Sequence, residues 1–173
     1  MTATKAIPVK RLLSAQAYQL IDREIAKYPA DQKQSAVMGA LTIAQDEVGW
    51  VSPAVIEDVA DYLSMPPIAV YEVATFYNMY NLEEVGTWKI GVCTCLPCAL
   101  REGDKADEYL KQKLSIDFGE TTPDGRFMLI ETECLGSCAD APICLINDKR
   151  VESFMDNAKL DALIDELRNK ERH

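Results

Sequence analysis

Apolar positions in the first half of the chain recur every three or four residues. Leu13, Ala17, Leu20, Ile21 and Ile25 share one helical face that stops near Tyr28 and Pro29, and Ala36, Ala40, Leu41, Ala44 and Val48 repeat the pattern as far as Gly49. Ser52 followed by Pro53 is a helix start. The serine hydroxyl can accept from a free first-turn amide, and proline at the first helical position lacks an N–H that would have had no partner. Ile56, Val59, Ala60 and Leu63 give this third helix its apolar face. Beyond Pro66 and Pro67 a fourth helix is predicted over 68–80, through Val70, Val73, Ala74 and Tyr77. Four such stripes describe a small helical module whose faces need one another, or a partner, for burial.

After Gly86 the period changes. Residues 88–92 read as a short strand running into Cys93, and 100–114 as a helix with Tyr109, Leu110 and Leu114 on its apolar side. A loop follows through Gly119, Pro123, Asp124 and Gly125. Strands are expected at 127–130, 143–146 and 150–154, the last two joined by a turn at Asn147 and Asp148, before a final helix carrying Leu160, Leu163, Ile164 and Leu167. The order strand, helix, strand, strand, helix predicts an α/β layer, with a domain boundary between 85 and 86.

A chain of 173 residues can bury roughly two thirds of its unfolded surface, so nothing in its size demands a disulfide. The net charge is −10, and each half carries −5. Phosphate backbones and anionic lipids reward clustered Lys and Arg, so nucleic acid is excluded as a partner. No window approaches the roughly twenty apolar residues needed to cross a bilayer. No apolar run follows the basic start from Lys5 to Arg11 to form a signal peptide, and direct membrane insertion is not expected. Glycine-rich phosphate cradles and histidine-based catalytic sets are also missing from the sequence.

The cysteines carry the candidate chemistry. All six lie between Cys93 and Cys144. Cys93 and Cys98 form one clip, Cys134 and Cys138 a second, with 35 residues between the pairs. Both fall at the carboxyl ends of predicted strands, where an α/β fold can bring them face to face as four thiolate ligands of one metal centre. Pro97, Gly136 and Pro142 bend the backbone so that amide N–H groups can point at sulfur, which would stabilise an anionic 2Fe-2S core. Structural zinc takes the same four thiolates at such spacings, and spacing alone does not separate the two. A 4Fe-4S centre lacks its repeated Cys-x2-Cys-x2-Cys run. A Rieske centre needs two histidines, and the chain has only His173.

Other readings compete for particular residues. Cys95, Leu96, Pro97 and Cys98 match the Cys-x-x-Cys form of a thiol–disulfide oxidoreductase, which would leave Cys93, Cys134 and Cys138 unexplained. Lying two residues from Cys93, Cys95 could also replace it as a ligand. Cys144, in an apolar run, reads as a buried core thiol. Glu131, Glu133 and Asp140 read as loop charges, and Tyr71, Phe76, Tyr77, Tyr80 and Trp88 as core, with the stretch 76–80 a candidate partner-facing surface.

Several motifs together resemble a known family across almost the whole chain. They are Gly49-Trp50-Val51-Ser52-Pro53, Val70-Tyr71-Glu72-Val73-Ala74-Thr75-Phe76-Tyr77, Gly86, Cys93 and Cys98 with Arg101 and Gly103 behind them, and Glu133-Cys134-Leu135-Gly136-Ser137-Cys138 followed by Ala141-Pro142. The sequence resembles the roughly 24-kilodalton 2Fe-2S subunits of NADH:quinone oxidoreductase, respiratory complex I. The resemblance implies a helical segment over 1–85 and a thioredoxin-like domain over 86–173, with Cys93, Cys98, Cys134 and Cys138 as cluster ligands. It implies one-electron exchange with the flavin of an NADH-binding partner subunit, FMN and NADH being held there, and contact with other peripheral-arm subunits. The implied setting is cytoplasmic, peripheral to a bacterial inner membrane through the complex, or on the matrix side in a mitochondrion. Related subunits serve NAD-dependent hydrogenases and formate dehydrogenases. Cys95 departs from the commoner family pattern.

Overall fold

The computed structural model describes residues 11–170, which divide between Glu84 and Val85 into two compact units. Lys5 and His173 lie outside the described residues.

The first unit is helical: α1 (Ala15–Ile25), α2 (Val37–Val48) preceded by a 3-10 turn (Lys33–Ala36), α3 (Pro53–Leu63) and α4 (Pro67–Phe76). Ser14 and Ser52 cap α1 and α3, accepting from the amides of Ala17 and Val55 at 3.2 Å each. Gly49 closes α2 at φ 100°, in left-handed backbone that a side chain would strain. Ile21, Leu41, Val55, Leu63 and Val70 are fully buried, each contributing up to about 1.5–3 kcal/mol. The fourth helix ends before Tyr77, which is extended at φ −99° and ψ 120°, not at residue 80. Tyr80 is buried from a non-helical segment, its hydroxyl donating to the carbonyl of Met38 at 2.9 Å. Its apolar ring fits the helical period without belonging to the helix.

The second unit holds a four-stranded sheet in the order β2-β1-β3-β4. Strand β1 (Trp88–Cys93) runs parallel to β2 (Phe127–Thr132), from Trp88 opposite Phe127 to Cys93 opposite Thr132. Strand β3 (Ile143–Ile146) is antiparallel to β1, and β4 (Arg150–Ser153) is antiparallel to β3. A parallel pair needs a crossover, supplied by a one-turn helix α5 (Leu96–Ala99) and by α6 (Gly103–Leu114), and α7 (Asn157–Asn169) ends the unit. Ala106, Leu110 and Leu114 of α6 and Leu160, Leu163, Ile164 and Leu167 of α7 share a core with Trp88, Ile90, Phe127 and Leu129. This is the expected architecture, a helical region followed by a thioredoxin-like α/β domain.

Two details differ from the periodicity. The helix expected over 100–114 starts later, as α6 at Gly103, and a separate one-turn helix α5 precedes it, with Pro97 inside its first turn, where proline needs no amide partner. Strand β2 runs two residues past Ile130 because its parallel register with β1 continues to Cys93. Gly86 permits the approach of the two chains, since a Cβ there would sit 2.9 Å from Phe127 C and Met128 N. Among the described residues no helix is long and apolar enough to cross a membrane.

Candidate metal centre

Cys93 is the last residue of β1 and is buried. The chain then turns through Thr94, whose hydroxyl donates to Glu131 Oε1 at 2.6 Å and ties this loop to the end of β2. Cys95 occupies the N-cap of α5 and Cys98 lies inside that turn, buried. Because β2 ends opposite Cys93, Cys134 emerges two residues beyond, at the same end of the sheet. Gly136, at φ 77°, takes a backbone course that favours glycine. A 3-10 turn (Cys138–Asp140) follows, and the Ala141–Pro142 peptide is cis where the chain enters β3.

The two clips meet. Buried Cys93 and Cys98 pack with Ala141 and Ile143 from the far side of the second clip, with Cys95 and Leu135 against the margin of the same cluster. The sulfurs of Cys134 and Cys138 are 3.6 Å apart. Two thiolates on one tetrahedral metal, each about 2.3 Å from it, would stand roughly 3.8 Å apart. Cys93 and Cys98 form the buried pair and Cys134 and Cys138 the outer one, and a two-iron core takes its four thiolates as two pairs, so the donor set fits such a group.

Electrostatics tie the thiols together. Burial pushes Cys98 up to about 11, with its neighbours Cys93 and Cys138 adding to the rise. Cys138 is raised chiefly by its hydrogen bond with Cys134, and Cys93 is a further neighbour. Cys134 is lowered, first by the amide of Gly136 and then by Cys138. The amide of Ile143 also acts on Cys98 in the lowering sense. The two amides thus favour the thiolate form at Cys134 and oppose the rise at Cys98, and a bound cation core would deprotonate the thiols outright.

Three contacts brace the arrangement. The Arg101 guanidinium donates to the carbonyl of Ala139 at 2.6 Å, from behind the first clip to the turn of the second. The amides of Phe154 and Met155 donate to the carbonyls of Asp140 and Pro142 at 2.7 and 3.0 Å. Gly103 lets α6 start against the first clip, since a Cβ there would lie 2.8 Å from the carbonyl oxygen of Cys98. Periodicity missed the bracing roles of Arg101 and Gly103. The available signal was Pro97 two residues after Cys95, which marks a helix start at the clip.

The remaining candidates fall apart from the centre or beside it. All six cysteines are free thiols. Cys144 is buried on β3, with burial pushing its thiol up to about 12. Glu131 and Glu133 are exposed and Asp140 is half-buried. Trp88 and Tyr80 are core residues, whereas Tyr71, Tyr77 and Phe76 are exposed, Phe76 by 79%.

A four-stranded α/β layer with two facing cysteine clips at one end of its strands defines a thiol-rich protein of thioredoxin-like architecture. The family model of the thioredoxin-like [2Fe-2S] ferredoxins matches residues 21–168, and the chain belongs to that family. Among relatives, an NADH-quinone oxidoreductase subunit from Rickettsia bellii is 47% identical over 146 residues, covering 84% of this chain and 87% of its own. The mitochondrial NADH dehydrogenase [ubiquinone] flavoprotein 2 of Dictyostelium discoideum is 39% identical over 150 residues, 86% of this chain and 60% of its own. An air-oxidized NAD+-reducing [NiFe]-hydrogenase has the same fold, with a TM-score of 0.69 at 22% identity over 82% of this chain and 24% of that one.

Proposed function

We propose that Cys93, Cys98, Cys134 and Cys138 hold a [2Fe-2S] cluster, and that the chain is the electron-carrying subunit of an NADH:quinone oxidoreductase. The observation that carries this reading is the pairing of the two clips in a chain 47% identical to a bacterial subunit of that enzyme. When bound, the cluster supplies one-electron chemistry. The chain's own residues hold and shield it. Cys93 and Cys98 supply buried thiolates, and Ala141 and Ile143 pack against them and exclude water on the inner side.

The partner is the flavin- and NADH-binding subunit, with other peripheral-arm subunits around it. Large exposed apolar side chains support docking: Leu96 within the first clip and Leu100 just after it are 70% and 77% exposed, and Ile68 and Phe76 stand out from the helical unit. In this reading 86–173 is the cluster domain and 1–85 adds contact area. The fold shared with a hydrogenase keeps that setting as the runner-up, while relatives of higher identity favour the quinone enzyme.

Anaerobically purified protein should contain two irons and two acid-labile sulfides per chain and, once reduced, a spin-one-half resonance. Stoichiometric zinc without sulfide would reject the cluster. Cys93→Ala should abolish the visible spectrum and Cys95→Ala should leave it. The opposite ordering, with insulin reduction dependent on Cys95 and Cys98, would favour the disulfide enzyme. Mild native purification should recover the chain with a flavoprotein that oxidises NADH.

A further inference from the structure

The second clip differs from the first in exposure and in the freedom of its backbone. Cys93 is buried at the end of a strand, in register with Thr132, and Cys98 is buried inside the turn of α5. A Cβ at Gly103 would already sit 3.2 Å from the Cβ of Cys98, so the start of α6 holds that residue in place. Cys134 is exposed and Cys138 half-buried. Cys134 lies in irregular chain two residues beyond β2. Gly136, midway between the two thiols at φ 77°, faces open space where a Cβ would stand.

The sulfurs of Cys134 and Cys138 stand 3.6 Å apart. A disulfide bond is about 2.05 Å long, so closing this pair needs an approach of roughly 1.5 Å. Cys134 can supply that movement without disturbing a strand or a helix. The rival pair is less free, because Cys98 is packed and its amide donates to the carbonyl of Cys95 at 2.9 Å within the turn of α5. An exposed thiol with a second thiol in contact behind it is the arrangement of a redox-active pair, since the second can resolve an adduct formed on the first.

We propose that Cys134 and Cys138 are a reversible oxidation site of the cluster-free chain, closed by a low-molecular-weight disulfide such as oxidised glutathione, and that the closed pair blocks cluster loading. Cys134 Sγ gives up its proton and attacks one sulfur of the oxidant, releasing the first small thiolate. Cys138 Sγ then gives up its proton and attacks Cys134 Sγ, releasing the second. The two protons end on the two released thiolates, so the small disulfide gains two electrons and the cysteine pair loses two. A closed disulfide offers iron no thiolate, and sulfurs bonded to iron are withheld from the oxidant, so the two states exclude each other. The block on loading rests on the ligand reading above.

The test uses full-length protein, part of it kept loaded and part stripped of iron with a chelator and dithiothreitol. The stripped part is freed of reductant and treated anaerobically with oxidised glutathione. Free thiols are trapped with iodoacetamide and linkages mapped by mass spectrometry. Stripped wild type should lose two hydrogens in a link between Cys134 and Cys138, and should take up iron and sulfide only after dithiothreitol reopens it. Cys138→Ala removes the second attack and should stop at a glutathione adduct on Cys134. Urea-unfolded chain should close the pair about tenfold more slowly, because the fold no longer holds the sulfurs together. A link between Cys95 and Cys98 in place of this one overturns the proposal, as do no link at all, equal rates in folded and unfolded chain, or full cluster uptake with the link closed. In loaded protein both thiols should resist iodoacetamide; alkylation of both there would instead sink the ligand reading itself.

Discussion

Arg101 donates a hydrogen bond at 2.6 Å to the carbonyl oxygen of Ala139, linking the residue behind the first cysteine clip to the turn that carries Cys138. A hydrogen bond from a charged donor contributes about 1.5–3 kcal/mol, and exposure of the side chain to water places this one near the lower end. Arg101→Met should therefore leave the secondary structure unchanged and let a chelator remove iron about fivefold to tenfold faster. An unchanged rate of iron loss, followed by the decay of visible absorbance, would show that the clips hold without this brace.

Gly103 is a second constraint on the same clip. A Cβ would meet the carbonyl oxygen, carbonyl carbon and Cβ of Cys98 at 2.8, 2.9 and 3.2 Å, and backbone atoms cannot swing aside as a flexible side-chain tip can. Gly103→Ala is expected to destabilise the cluster domain by about 1–3 kcal/mol, the usual range for overpacking. The shift in urea midpoint measures that loss, and iron content should fall with it. Stability equal to or above wild type would mean that α6 can start elsewhere.

Cys144 gives a pH dependence with a definite sign. Burial holds its thiol up to about 12, against about 8.5 in an unfolded chain. Between those values the folded state binds the proton and the unfolded state releases it, so unfolding becomes more favourable as pH rises. The contribution is fully present below the unfolded value and is lost as pH climbs toward about 12. Comparing wild type with Cys144→Ala by chemical denaturation across that window should show a steeper alkaline decline in wild type. Parallel declines would remove Cys144 as a cause. Native protein should also resist alkylation at this position.

In the helical unit, Asp58 is 1% exposed and accepts from the Arg11 guanidinium at 3.3 Å, the Leu12 amide at 3.4 Å and the Tyr18 hydroxyl. Asp58→Ala strands these donors. Arg11 still has Asp61 at 2.9 Å, so the loss should fall on Leu12 and Tyr18, at about 1–3 kcal/mol for groups left without a partner. Hydrogen exchange should show faster opening over 12–18 while the cluster domain keeps wild-type rates. Equal exchange in both proteins would refute this anchoring role.

The helices and strands are largely legible because their causes are local. Ser52 caps α3 as its hydroxyl and the following proline dictate. The apolar faces of α1 to α3 are largely buried where the three-and-four spacing places them, except at Leu20 and Val48, which lie at the exposed margins of α1 and α2. Tyr80 escapes the helical expectation because burial of one ring can satisfy a helical period from a turn beyond the helix end. The break at α5 is hidden because Arg101 and Glu102 continue the polar texture of α6, although Glu102 has a left-handed backbone at φ 66°.

By itself the sequence determined the two textures of the chain, the order of its elements and the placing of thiols after strands, since each follows from residues within a turn or a strand of one another. Sheet order and parallel register belong to the tertiary structure alone. They set Cys93 opposite Thr132 and so bring clips separated by 35 residues to one end of the sheet. The same pairing puts Arg101 under Ala139 and the start of α6 against Cys98. Such neighbours are chosen by which strands pair across the core, a non-local event on which the spacing of cysteines along the chain is silent.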